Sequence, residues 1–166
     1  LRGGFAVTAS DGTPTAAGGR PACTLVLVGN VGGAMWSHFS AWPGGSGPDP
    51  LDRWTKAIVD PIAAAAGARA VYPSDRPWQP FQRWAMQAEG LKPSPLGILI
   101  HAVYGLWHGY RGASGFREPR TFSQPEAAGH PCAECRDKPC LTHCPVGAIT
   151  LDGFQYQPCR THLKTA

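Results

Sequence analysis

The chain has 166 residues, of which 43% are hydrophobic and 16% charged; 15 Lys and Arg against 11 Asp and Glu give a formal charge of +4. That length fits one domain, or one domain with a small appendage. Basic residues scattered along the chain argue against a nucleic-acid partner, no apolar run is long enough to cross a bilayer, and no charged n-region leads into an apolar h-region at the start.

The expectation is a soluble, cytoplasmic chain without a membrane partner. Six Trp, six Phe and four Tyr can build a real core, and the low charge fits a surface partly covered by a cofactor or partner. Glycine (21) and proline (17) are dispersed without a period, which indicates a loop-rich fold and not low complexity.

In chain order, residues 4–10 form a short strand closed by the Asp11-Gly12 turn pair, and 13–21 a loop of small residues. "CTLVLVGN", ending at Asn30, is an apolar run of the kind buried on both faces of a sheet. A helix over 33–42 would set Trp36 and Phe39 on one side. Asp49 or Asp52 can cap the next helix, whose apolar face would be Leu51, Trp54, Ile58, Val59 and Ile62, with Pro61 a point of kinking. Gly67 stops it. A short strand over 70–72 and a helix over 80–89 ended by Gly90 follow. "LGILIH" and "LWHGYRG" pattern as two strands across a tight connection at Gly105. Trp36, Trp42, Trp54, Trp78 and Trp84 fall in apolar patterns and belong to the core, as does the isolated thiol of Cys23.

Four cysteines in "PCAECRDKPCLTHCPVGAI" carry the sharpest signal. Cys132, Cys135, Cys140 and Cys144 follow C-x2-C-x4-C-x3-C-P, two residues longer in the middle gap than the bacterial ferredoxin run C-x2-C-x2-C-x3-C-P. Such spacings let several sulfurs converge on one inorganic core, with the intervening N–H groups turned toward its negative charge. Zinc is the competing reading, with His130 or His143 able to replace a thiolate, while the lack of an export signal argues against disulfides. Three ligand arrangements stay open. Cys132, Cys135, Cys140 and Cys144 can surround one [4Fe–4S] centre; Cys159 can replace Cys144; or Cys144 and Cys159 can serve a second cluster completed by residues beyond the chain, which opens on Leu1 and ends soon after Cys159.

Residues 97–113, "GILIHAVYGLWHGYRGA", resemble a segment of the vitamin B12 processing family, the cobalamin decyanases and dealkylases. Ile100, His101, Tyr104, Gly105, Trp107, Arg111 and Gly112 match; Ala102 stands where the family usually has proline. "TLVLVGNVGGAMW" and "DPLDRW" resemble that family's first strand with its following helix and the start of the next. Joined to a ferredoxin motif, the module is similar to epoxyqueuosine reductase and, more distantly, to the reductive dehalogenases; "CRTHL" around Cys159 resembles the cysteine after the first cluster motif of the former. The likeness spans about residues 20–163. It implies an α+β fold: a reduced nitroreductase-like sandwich over 1–120 that carries a corrinoid, followed by a small ferredoxin-like cluster domain over 121–166. A second complete cysteine motif and C-terminal helical repeats are missing, which argues against transfer of the tRNA substrate.

On that resemblance His101, Tyr104, Trp107 and Arg111 are the cofactor-binding candidates, an apolar wall with a few oriented polar groups. The plainer alternative for His101 is a satisfied core histidine. No residue can be named as a catalytic acid or base. Expected is an iron–sulfur redox protein, a corrinoid-dependent oxidoreductase, that takes electrons from a donor protein and passes them to bound cobalamin or another corrinoid for reductive chemistry on a small molecule or on the corrinoid's own upper ligand. Two other classes stand beside it: an iron–sulfur electron-transfer module without corrinoid, and a zinc-stabilised interaction module. Flavin could occupy a scaffold related to flavin enzymes, although "GNVGG" is a weak phosphate loop.

Overall fold

The computed structural model describes residues 1–12, 14–123 and 129–165. It is a mixed α and β chain that divides into two compact units, Leu1–Gly90 with Trp107–Ala127, and Leu91–Leu106 with Ala128–Ala166.

The first unit is built on an antiparallel sheet of order β1-β2-β4-β3, formed by Gly4–Ala6, Thr24–Val31, His108–Phe116 and Arg69–Val71. Between them run α1 (Trp36–Ser40), α2 (Pro50–Ala65) and α3 (Phe81–Glu89). The apolar run expected as a buried strand is β2, where Leu25 and Leu27 are fully buried. Alternation sends Val26 to the opposite face, where it joins Ala63, Ala68, Ala70 and Phe116 beneath α2. On the other face α3 packs against β1 and β2, burying Phe81, Trp84, Ala85 and Ala88. Two polar ties hold that layer. Arg2 forks onto Glu89 at 2.7 and 2.6 Å with both side chains nearly buried, and the Trp84 indole donates to the Asp11 carbonyl at 2.9 Å.

β2 and β4 pair along eight residues with one irregularity: Val28 faces Gly112 while Gly29 faces Tyr110, so Arg111 is an extra residue, a β-bulge. The chains approach closely there. A Cβ on Gly29 would run into the Gly109 carbonyl, so only glycine fits.

Several expectations are corrected. α2 buries Thr55, Val59 and Ala63, a stripe of small residues at i, i+4 and i+8 that lets the helix sit close to the sheet. Ile58 and Ile62 lie one step round the helix and stay exposed, Ile62 by 64%. Neither acid caps it: Asp49 occupies the cap position without a side-chain hydrogen bond, and Asp52 turns to Arg111. The helix also runs through Pro61 as one element. Of the tryptophans assigned to the core, Trp84 is buried, but Trp36 and Trp78 are 63% and 69% exposed, each in a segment too short or irregular to fold its ring inward. Cys23 is exposed because it precedes β2 between two inward residues, Ala22 and Thr24.

"LGILIH" is not a strand. Residues 91–106 form two tight folds closed by the bridges Pro93↔Leu99 and His101↔Gly105, with Gly97 and Gly105 at positive φ. The second unit adds α4 (Pro131–Glu134), α5 (Pro139–Thr142), the hairpin β5 (Ile149–Thr150) and β6 (Gly153–Phe154), and α6 (Tyr156–Thr165). No helix among the described residues is long and apolar enough to cross a membrane.

Candidate functional site

Proline opens both short helices of the cysteine segment at N1, where its missing N–H costs nothing. His130 caps α4, its Nδ1 accepting the Cys132 N–H at 3.4 Å, while its Nε2 lies 3.0 Å from the Pro93 carbonyl. Cys132 sits in α4 and Cys135 ends it. The two residues by which this spacing exceeds the ferredoxin run make room for Lys138, which takes a left-handed conformation (φ 39°) and donates from Nζ to the Cys132 and Cys135 carbonyls at 2.9 and 3.0 Å. That strap holds the first cysteine turn closed. Cys140 begins the next turn, and Cys144 follows it directly.

The thiols differ in their surroundings. Burial raises the Cys132 thiol above its ordinary range, the nearby Cys140 and Cys135 raise it further, and the Lys138 ammonium offsets part of this. Cys144 is lowered instead, because the main-chain N–H groups of Val146, Ala148, Ile149 and Gly147 surround its sulfur; the Ala148 N–H lies 3.2 Å from Sγ. Gly147, at φ 60°, supplies the left-handed turn that lets consecutive amides point to one spot, an arrangement that stabilises an anion. Cys159 lies on α6, half-buried. All six cysteines are free thiols, and among the described residues no three His, Cys, Asp or Glu side chains are drawn into one ligand group. In donor chemistry the segment fits a thiolate-bound centre: soft sulfur ligands on adjacent turns, with amides gathered around one of them.

The corrinoid candidates divide between the units. His101 and Tyr104 belong to the second, where His101 closes a turn: its main chain pairs with Gly105 in both directions, and its Nδ1 accepts the N–H groups of Val103 and Tyr104 at 3.0 and 3.3 Å. Tyr104 stacks obliquely on its ring at 4.7 Å. Trp107 and Arg111 belong to the first unit. Trp107 is 77% exposed, with its carbonyl accepting the Gly32 N–H. The bulge directs Arg111 onto α2, where its guanidinium donates to Asp52 at 2.5 Å and to the Thr55 hydroxyl at 3.3 Å. Beside it Met35, Trp54 and Ile58 line an apolar cavity of about 110 Å³, below the size that encloses a drug-sized ligand.

Sequence reasoning missed Lys138, the amides after Cys144 and the Asp52–Arg111 pair. The amide cup had a readable sign in the glycine two residues after Cys144-Pro145; the ion pair, made across 59 positions, had none. No protein family, curated protein or solved structure matches this chain.

Proposed function

We propose that this chain is an iron–sulfur redox protein, with Cys132, Cys135, Cys140 and Cys144 as the ligands of one [4Fe–4S] centre and Cys159 outside it. The observation that carries this reading is the cup of amides on Cys144, joined to the cysteine spacing and to Pro145. When bound, such a centre supplies reversible one-electron transfer. The chain's own residues set its working conditions. Amides at 146–149 stabilise negative charge on sulfur and Lys138 offsets charge at Cys132, while Cys132, Cys140 and Cys144 are half-buried and Cys135 is exposed.

The resemblance that names a corrinoid as electron acceptor also implies a reduced nitroreductase-like first unit and a ferredoxin-like second one. The antiparallel sheet and the short cysteine-bearing turns are compatible with both. A second reading, a carrier that takes electrons from one protein and gives them to another without corrinoid, is favoured by two observations. Arg111 is already committed to Asp52 and Thr55, and the adjoining cavity of about 110 Å³ is small for a macrocycle.

Anaerobic reconstitution with iron and sulfide, followed by metal analysis and electron paramagnetic resonance of the reduced protein, tests the centre. Equal iron and sulfide with a reducible signal, lost in Cys135→Ser, is expected. Colourless protein holding one zinc would replace the proposal with a zinc-stabilised module. Titration of the reconstituted protein with methylcobalamin then separates the two redox readings: a saturable base-off absorbance change identifies a corrinoid protein, and its absence a carrier.

A further inference from the structure

Within the first unit, a cavity of about 430 Å³ runs along β3, the terminal strand of the sheet. Its lining includes Thr15, Arg69, Val71, Asp75, Arg76 and Gln79. This volume falls in the range that encloses small-molecule ligands.

The charges in the cavity are unbalanced. Its one acid, Asp75, is already held by Lys56 at 2.6 Å. Arg69 and Arg76 have no carboxylate partner among the described residues. The Arg76 guanidinium instead lies over the Trp78 ring, 4.2 Å from its centroid, which limits the orientations of its donor fork. Gln79 spends one amide N–H on the Pro77 carbonyl at 3.0 Å and keeps a second, while Thr15 brings a hydroxyl. Two planar forks with neutral donors in the same lining suit oxyanions, since each guanidinium can donate two parallel hydrogen bonds to a phosphate or carboxylate. A strand edge adds main-chain groups outside the ladder.

We infer that this cavity binds a small molecule carrying two oxyanion groups, a pyrophosphate ester or a dicarboxylate, gripped by Arg69 and Arg76. The site is independent of the cysteine centre.

Isothermal titration of the full chain at low salt, with inorganic pyrophosphate in one arm and succinate in the other, tests it. The expected result is saturable binding of at least one probe, weakened by about tenfold or more in Arg69→Gln and in Arg76→Gln. Lys92→Gln, which removes a charge outside the cavity, should bind as the parent does. Pyrophosphate alone points to a phosphate ester, and both probes to the wider oxyanion class. Failure of both probes to bind overturns the inference. So does equal weakening in all three variants, because that would reflect net charge and not a site. Both arginines are exposed, so unchanged thermal unfolding of the variants is the accompanying control.

Discussion

Asp11 shows how one side chain can set local structure. Fully buried, it accepts hydrogen bonds from the Thr8 N–H and hydroxyl at 2.7 and 2.6 Å and from the Gln87 amide, tying the turn after β1 to α3. Burial alone would raise its carboxyl; the hydrogen bonds from Thr8 and Gln87 and the charge of Arg83 outweigh that and lower it below 3.8. A carboxyl depressed in the folded state stabilises the fold above its unfolded pKa and loses that contribution as pH falls through the folded one. Asp11→Asn should therefore unfold at lower urea than the parent near pH 6. The gap should narrow only below about pH 3.8, and it closes once both forms are neutral. An unchanged gap down to pH 2.5 would mean that shape, and not charge, explains the loss.

Arg111 and Asp52 make the other residue-scale pair whose worth can be measured. Both are partly exposed, so their coupling should be about 1 kcal/mol in a double-mutant cycle of Arg111→Met and Asp52→Asn followed by urea unfolding. A coupling near zero would leave Arg111 free to serve a ligand, and would restore weight to the corrinoid reading.

At the scale of the element, α2 shows where an apolar periodicity misleads. Leu51, Trp54, Ile58, Val59 and Ile62 satisfy a helical stripe, yet the sheet selects the neighbouring stripe of Thr55, Val59 and Ala63. Small side chains permit closer approach than large ones, and close approach to β3 and β4 decides which stripe goes in. Val59→Ala should cost about 1–3 kcal/mol by thermal or urea unfolding, and Ile62→Lys less than about 0.5 kcal/mol. The reverse order would return Ile62 to the core. The same competition explains how much was legible beforehand. β2, α2 and α3 could be read from their patterns because each is long and bounded by glycine or proline, whereas only the first part of β4 was, since "LWHGYRG" stops at Gly112 and the strand runs on to Phe116. Residues 91–106 were misread because the apolar sequence "LGILIH" carries the composition of a strand while Pro93, Pro95, Gly97 and Gly105 impose turns. The cysteine segment stood out by its spacing, which is all that the sequence says of it. The roles of Lys138 and Asp52 were not legible, because they arise from backbone conformation and from contacts distant in sequence, and of the amides behind Cys144 only Gly147 gave a sign.

For the whole molecule, the two units differ in what can hold them. The first has a sheet with helices against it; the second has four-residue helices, a two-residue hairpin and α6, with Ala148 and Leu99 among its few buried apolar side chains. A unit with so small a core gains proportionately from a bound centre, since binding free energy becomes folding free energy. Hydrogen exchange of the iron-free chain should therefore be slowest in β2 and β4 and fast over 129–165. Reconstitution should slow exchange across 131–149 and leave β2 and β4 as they were. Equal protection in both states would separate the stability of the second unit from any metal.

The bulge at Arg111 has one more consequence. Because the extra residue changes the parity of β4, the half that contains Ala113 and the half that contains Tyr110 follow opposite odd-even rules against β2. Sliding β4 by one residue would break the rule in both halves at once, and sliding it by two would keep the rule but part Gly29 from the Gly109 backbone that only a glycine can approach. The central pair of strands therefore behaves like a key cut with a single step, its alignment marked at the one position where two glycines meet.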